Sequence, residues 1–207
     1  MSLTEAMVLA DRPTNDWTPK LVAKLWKGRA ALTLREVAAL KVDARDRLFL
    51  ILEHFLDDRR RRLLACDLAE QALATAGDAS PVCVEAIRVA RAYAHGEASA
   101  DRMEEARGAV WEENPVSFVS KTAVHVARLC ASNACGVVKA LPELRPFHTG
   151  NNATESAVMA NLHNLGIVTR WTYPWGEFPG KVPGAPTAES VRNAAIKRAV
   201  EYAEEEK

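Results

Sequence analysis

Four cysteines, five histidines and a run of four consecutive arginines are the side chains of this 207-residue chain best equipped for chemistry. A thiol reacts or binds metal as the thiolate, so it needs an imidazole, a cation or a metal close by. Zinc sites take close Cys or His pairs. Cys66, Cys83, Cys130 and Cys135 form no CxxC, and the histidines form no HxxxH or HExxH. His125 and Cys130 lie five residues apart, which turns them to different faces of a helix. The sequence also lacks a glycine-rich phosphate loop, a GxSxG elbow and a paired-carboxylate motif. No catalytic residue, metal site or cofactor is therefore expected from the motifs. A site built by tertiary contact stays open, with Cys66, His148 or His163 beside ionisable partners.

Helical phase gives the thiols a plainer role. Val82, Cys83, Ala86, Ile87, Ala90, Tyr93 and Ala94 recur at helical spacing and form one apolar stripe. Glu85, Arg88, Arg91 and His95 fall on the other side. Cys130 is central to a second stripe that includes Val119, Ala123, Val126, Ala134 and Val137. Cys66 and Cys135 lie at stripe edges. Inside such stripes a cysteine packs as a small hydrophobe.

The arginine run Arg59, Arg60, Arg61 and Arg62 follows Asp57 and Asp58 and precedes the helical pattern LLACDLAEQAL. It therefore occupies a helix first turn, where cations are disfavoured by a few tenths to about 1 kcal/mol each. Arg61 and Arg62 share the phase of Leu64, Ala65, Leu68 and Ala69, which puts them at the rim of the core. Ion pairs with Asp43, Asp46 or Glu53 are one expectation. An exposed basic patch gripping an acidic surface or a phosphate is the other. Four adjacent residues spread around a helix, so one purpose cannot serve all four. Trp171, Tyr173, Trp175 and Phe178 make a second candidate surface, packed on the helices as a lid or presented to a partner.

These side chains are positioned by a succession of punctuated helices. Thr18 and Pro19 open one that Gly28 ends, and Thr33 with Glu36 forms a capping box for the next. Asp43 caps a third, and Asp57 or Asp58 a longer one reaching about residue 76. Ser80 with Pro81 opens a helix stopped by Gly96. Ser99 opens another, and Asn114 with Pro115 a further one to about residue 141. The spacing predicts an all-α multi-helix bundle over 1–146. Over 147–207 it predicts a helix from Thr154, a proline- and aromatic-rich loop, and a terminal helix from about Thr187, all packed on the bundle as one domain overall.

Lysine plus arginine balances aspartate plus glutamate at 27 each, so no global field draws the chain to nucleic acid or anionic lipid. Arginine nevertheless outnumbers lysine two to one, which leaves local patches. MSLTEAMVLADRP lacks the basic and apolar regions of a signal peptide, and no apolar stretch approaches the roughly 20 residues of a membrane span. A cytoplasmic location, reduced thiols and no membrane association are expected.

One resemblance is present. DARDRLFLILEHFL, RRLLACDLAEQAL and PVCVEAIRVARAYAHGEASADRMEEAR resemble a bacterial and phage family of immunity proteins from polymorphic toxin systems. The matching positions are Ala65, Cys66, Asp67, Ala69 and Glu70, then Ala86, Ile87, Ala90, Arg91, Gly96 and Glu97, within roughly residues 40–110. The chain departs from the family after that point: it lacks tryptophan-punctuated alanine repeats and adds the proline-rich aromatic segment. The resemblance implies a non-enzymatic protein that binds and inhibits a toxin, nuclease or defence component, in a phage or mobile-element setting. Expected partner-binding residues are Arg59, Arg60, Arg61, Arg62, Asp67, Arg91, Trp171, Tyr173 and Trp175. A nucleic-acid-associated protein using Arg59–Arg62 with Arg45 and Arg47 is the second expectation, and an enzyme with a site between bundle and loop the third.

Overall fold

The computed structural model describes residues 1–11, 13, 16–76, 80–113 and 188–205. Among them are eight helices and one two-stranded ribbon, so the chain is a mostly helical, multi-helix protein. The order is β1 (Ser2–Thr4), α1 (Glu5–Ala10), α2 (Pro19–Trp26), β2 (Ala31–Thr33) and α3 (Leu34–Ala38). Then come α4 (Ala44–His54), α5 (Asp58–Ala76), α6 (Pro81–Ala94), α7 (Ala100–Glu113) and α8 (Ala188–Glu204).

Short polar caps start most of these helices, as their side chains require. Thr18 accepts from the Leu21 amide with Pro19 behind it, and Ser80 accepts from the Cys83 amide with Pro81 behind it. Thr33 and Glu36 complete the capping box. Asp43 caps α4 through the Arg45 amide, and Ser99 accepts from the Arg102 amide at the start of α7. Asp57, not Asp58, caps α5, accepting from the Arg60 amide at 2.8 Å. Gly96 ends α6 at φ +78°. At the end of α2 two successive residues are left-handed, Lys27 at φ 52° and the expected Gly28 at φ +75°.

The ribbon and α1 were not expected. Strands of three residues are too short to show alternation, and their pairing is non-local. Leu3 faces Leu32 across an antiparallel register, and both are fully buried. Each strand runs directly into a helix through a threonine cap, Thr4 into α1 and Thr33 into α3.

One core runs from the β1–β2 ribbon, α1 and α2 through α3 into α4, α5, α6, α7 and α8. Leu48, Leu52, Leu64, Cys83, Ala86 and Met103 are inaccessible to solvent. Burying a large apolar side chain contributes about 1.5–3 kcal/mol, which is what holds helices of ordinary propensity in place. α5 and α6 run antiparallel: contacts climb α5 from Arg59 through Arg62 to Cys66 while descending α6 from His95 through Tyr93 to Ile87. α8 packs on α3, α4 and α5, with Ala195 and Ala199 buried so that the helices approach closely. Among the described residues no helix is long and apolar enough to cross a membrane.

The terminal helix expected from Thr187 is α8. The helices expected from Asn114 and Thr154, the boundary near 146, Cys130, Cys135, His125, His148 and His163 lie outside the described residues, as do Trp171, Tyr173, Trp175 and Phe178.

Candidate functional site: a carboxylate–arginine junction of three helices

Cys66 and Asp67 show how α5 builds the site. Successive residues turn by about 100°, so one step separates core from rim. Cys66 points inward, is fully buried and donates its S–H to the Ile87 carbonyl of α6 at 3.8 Å. The sequence placed it at a stripe edge; packing of α6 over α5 closes that edge. Cys83 is equally buried. A thiol inside apolar packing is a packing element, not a nucleophile.

Asp67 points to the rim, where α5, α6 and α8 converge. Its Oδ1 accepts from Arg91 Nη2 of α6 at 2.7 Å. Its Oδ2 accepts from Arg198 Nε at 2.8 Å and from the Tyr202 hydroxyl at 2.7 Å, both on α8. Arg91 also grips Glu70, one turn along α5, with Nη2 at 2.7 Å and Nε at 3.2 Å. Arg198 in turn donates to Glu201 at 3.0 Å and to the Tyr202 oxygen at 3.2 Å, with its guanidinium 4.4 Å from the Tyr202 ring centroid. Burial opposes ionisation of Asp67, but the bonds from Arg198, Tyr202 and Arg91 outweigh it and hold the carboxyl below its ordinary range. Burial, followed by the adjacent Asp67 carboxylate, pushes the Tyr202 phenol up to about 12.

A carboxylate saturated by three donors, and with a lowered pKa, is a poor general base. The junction can hold α8 on α5 and α6 and fix the outward edges of Glu70 and Glu201 in register. Their side chains are 55% and 43% exposed, against 22% for Asp67.

The arginine run divides as helical phase requires. Arg59 is exposed and reaches His95 Nδ1 at 3.4 Å. Arg60 pairs with Asp57 and donates to the Glu205 carbonyl at 2.9 Å. Arg61 donates to the Leu56 carbonyl at 2.9 Å, clasping the end of α4. Arg62 is buried, lies 5.0 Å from the Tyr93 ring centroid and pairs with Asp58 at 3.5 Å. The expectation of Arg62 as an exposed interface residue is corrected by that burial. Asp43 and Asp46 are not its partners: Asp43 caps α4, and Asp46 accepts from Trp17 Nε1 at 2.8 Å. First-turn aspartates instead offset the unfavourable placement of arginines at a helix start. Arg47, expected beside the run, donates to the Ala38 carbonyl and to Asn193 and so fastens α8 to α4.

Of the residues singled out from sequence, Asp67 and Arg91 are brought together, while Arg59 and Arg62 turn to His95 and Tyr93 of α6, and Arg60 and Arg61 to the Glu205 and Leu56 carbonyls. The sequence reading missed Arg198, Glu201 and Tyr202. Their i, i+3, i+4 spacing on an amphipathic helix was the available signal. Compared with protein-family models, curated proteins and solved structures, the chain finds no match in any of the three. The described residues form a multi-helix protein whose α5, α6 and α8 meet in a mixed-charge junction.

Proposed function

We propose that this chain is a non-enzymatic interaction protein that binds and inhibits a protein partner, of the immunity type: a toxin, a nuclease or a defence component of a phage or mobile element. The observation that carries the reading is the Asp67–Arg91–Glu70 junction. The two sequence blocks that resemble the immunity family, 65–70 and 86–97, lie face to face through these three residues and through Cys66 and Ile87. The residues of the resemblance thus form one structural unit whose polar members reach the surface. Ordered opposite charges at a rim favour specific encounter with a complementary protein surface. Arg59, Arg60 and Arg91 remain candidate contacts, and Trp171, Tyr173 and Trp175 belong to the same proposal.

The nucleic-acid reading of Arg59–Arg62 has less support, because Arg60 and Arg62 pair with carboxylates and Arg61 clasps a carbonyl.

The test is affinity capture with the full chain from its native cells, followed by an assay of the captured protein's own activity. Stoichiometric inhibition by the wild type, weakened tenfold or more by Glu70→Lys or Arg59→Glu, is expected. A captured protein whose activity is untouched, or a tightly bound small molecule in place of a protein, overturns it.

A further inference from the structure

Lys20 and Lys24 stand at i and i+4 on one stripe of α2, Lys27 is the left-handed residue that caps its end, and all three are exposed. Among the described residues none of these lysines is in an ion pair. Arg29, just beyond the helix, is neutralised by Glu36 at 2.6 Å. Asp16, exposed at the opposite end, leaves the stripe with a positive excess. This is a local concentration of free ammonium groups on a chain whose total charge is zero.

We propose that the outer face of α2 is a docking site for the phosphate backbone of nucleic acid, held by Lys20, Lys24 and Lys27. The other half of α2 is spent on the core. Val22 and Trp26 are fully buried, and Leu21 and Leu25 pack against the same cluster. No apolar face is left to enter a bilayer, as an interfacial helix needs. The exposed residues of the helix are Pro19, Lys20, Ala23 and Lys24, with none of the Trp, Tyr or Arg anchors that dominate protein interfaces. Lysine acts on phosphate as a mobile point charge, which suits contacts that ignore sequence. From Lys20 to Lys27 the chain advances about 10 Å, which separates the three ammonium groups enough to meet different phosphates of one backbone. Ala23 between the lysines lets the backbone approach. The site is separate from the Asp67 junction and does not depend on the inhibitor reading.

The test is fluorescence anisotropy of the full chain with labelled mixed-sequence duplex DNA and RNA, titrated across salt. Three phosphate contacts at about 0.9 released counterions each predict a roughly 40-fold loss of affinity between about 50 and 200 mM salt. The triple variant Lys20→Gln/Lys24→Gln/Lys27→Gln, with its helical circular dichroism intact, is expected to lose the binding. Lys41→Gln/Lys197→Gln is expected to keep it. The assignment is overturned if wild type fails to bind at the lowest salt, or if the triple variant binds as well as wild type. Vesicles containing phosphatidylserine that bind as tightly, through the same lysines, overturn it in favour of a membrane surface.

Discussion

One nitrogen of Arg91, Nη2, lies 2.7 Å from both the Asp67 and the Glu70 carboxylates, so a single α6 side chain spans a full turn of α5. α8 enters the same arrangement from the far end of the chain, through Arg198 and Tyr202 on the other Asp67 oxygen. The residues of the junction are thus interdependent, and its energetics should be non-additive.

Asp67→Asn keeps the shape but removes the charge that Arg91 and Arg198 share. A loss of about 1–3 kcal/mol in urea unfolding is expected, since hydrogen bonds to charged groups are worth roughly that each. Tyr202→Phe should cost about 1 kcal/mol. The double variant should be less destabilised than the sum by about 0.5 kcal/mol or more. Strict additivity would show that the phenol and the carboxylate are not coupled.

Stability should fall at both ends of the pH scale through this junction. Asp67 has a folded pKa below its ordinary 3.8, so its contribution is complete above that value and is lost as acid protonates the folded carboxyl. Tyr202 has a folded pKa raised from 10.0 to about 12, so its contribution is complete below 10 and disappears as pH rises towards 12. Urea midpoints measured from pH 3 to 7 and from pH 9 to 12 should show both limbs. Asp67→Asn should flatten the acid limb, and Tyr202→Phe the alkaline one.

Adjacent arginines should behave differently. Arg62 is buried against Tyr93, so Arg62→Ala should cost about 1–3 kcal/mol by loss of packing and of its cation–π contact. Arg59→Ala, at an exposed position, should stay within about 0.5 kcal/mol of wild type. Thermal unfolding of the two variants side by side distinguishes them, and equal effects would contradict the burial of Arg62.

Cys66 and Cys83 should be slow to alkylate in the native protein, because both are inaccessible to solvent. With an opening free energy of a few kcal/mol, iodoacetamide labelling should be roughly 10²–10³-fold slower than in denaturant. Peptide mapping of the labelled protein reads the two sites individually. Rapid native labelling of Cys66 would break the packing of α5 against α6 described above.

Much of the local structure was legible. Thr18–Pro19, the Thr33–Glu36 box, Ser80–Pro81 and Gly96 act within a few residues of themselves, so their effect on the backbone is carried by sequence alone. The same holds for Cys83 in its stripe. Cys66 was placed one step too far out, because the neighbour that covers it is α6, whose approach is not a local property. The β1–β2 ribbon escaped for a related reason: Leu3 and Leu32 have no signature until they meet.

The sequence by itself determined that this is a chain of capped amphipathic helices, with Cys83 inside its stripe and a first-turn arginine run whose members must face different ways. Only the tertiary structure decided which charges belong together. Asp67 and Arg198 are separated by most of the chain, yet they close one hydrogen-bonded junction, while Arg62 lies over the Tyr93 ring and pairs with Asp58 of its own helix. Caps and stripes arise from interactions along one helix, and those are written in spacing. Partners between helices depend on packing angle and approach, which are set by how all the buried faces fill space at once.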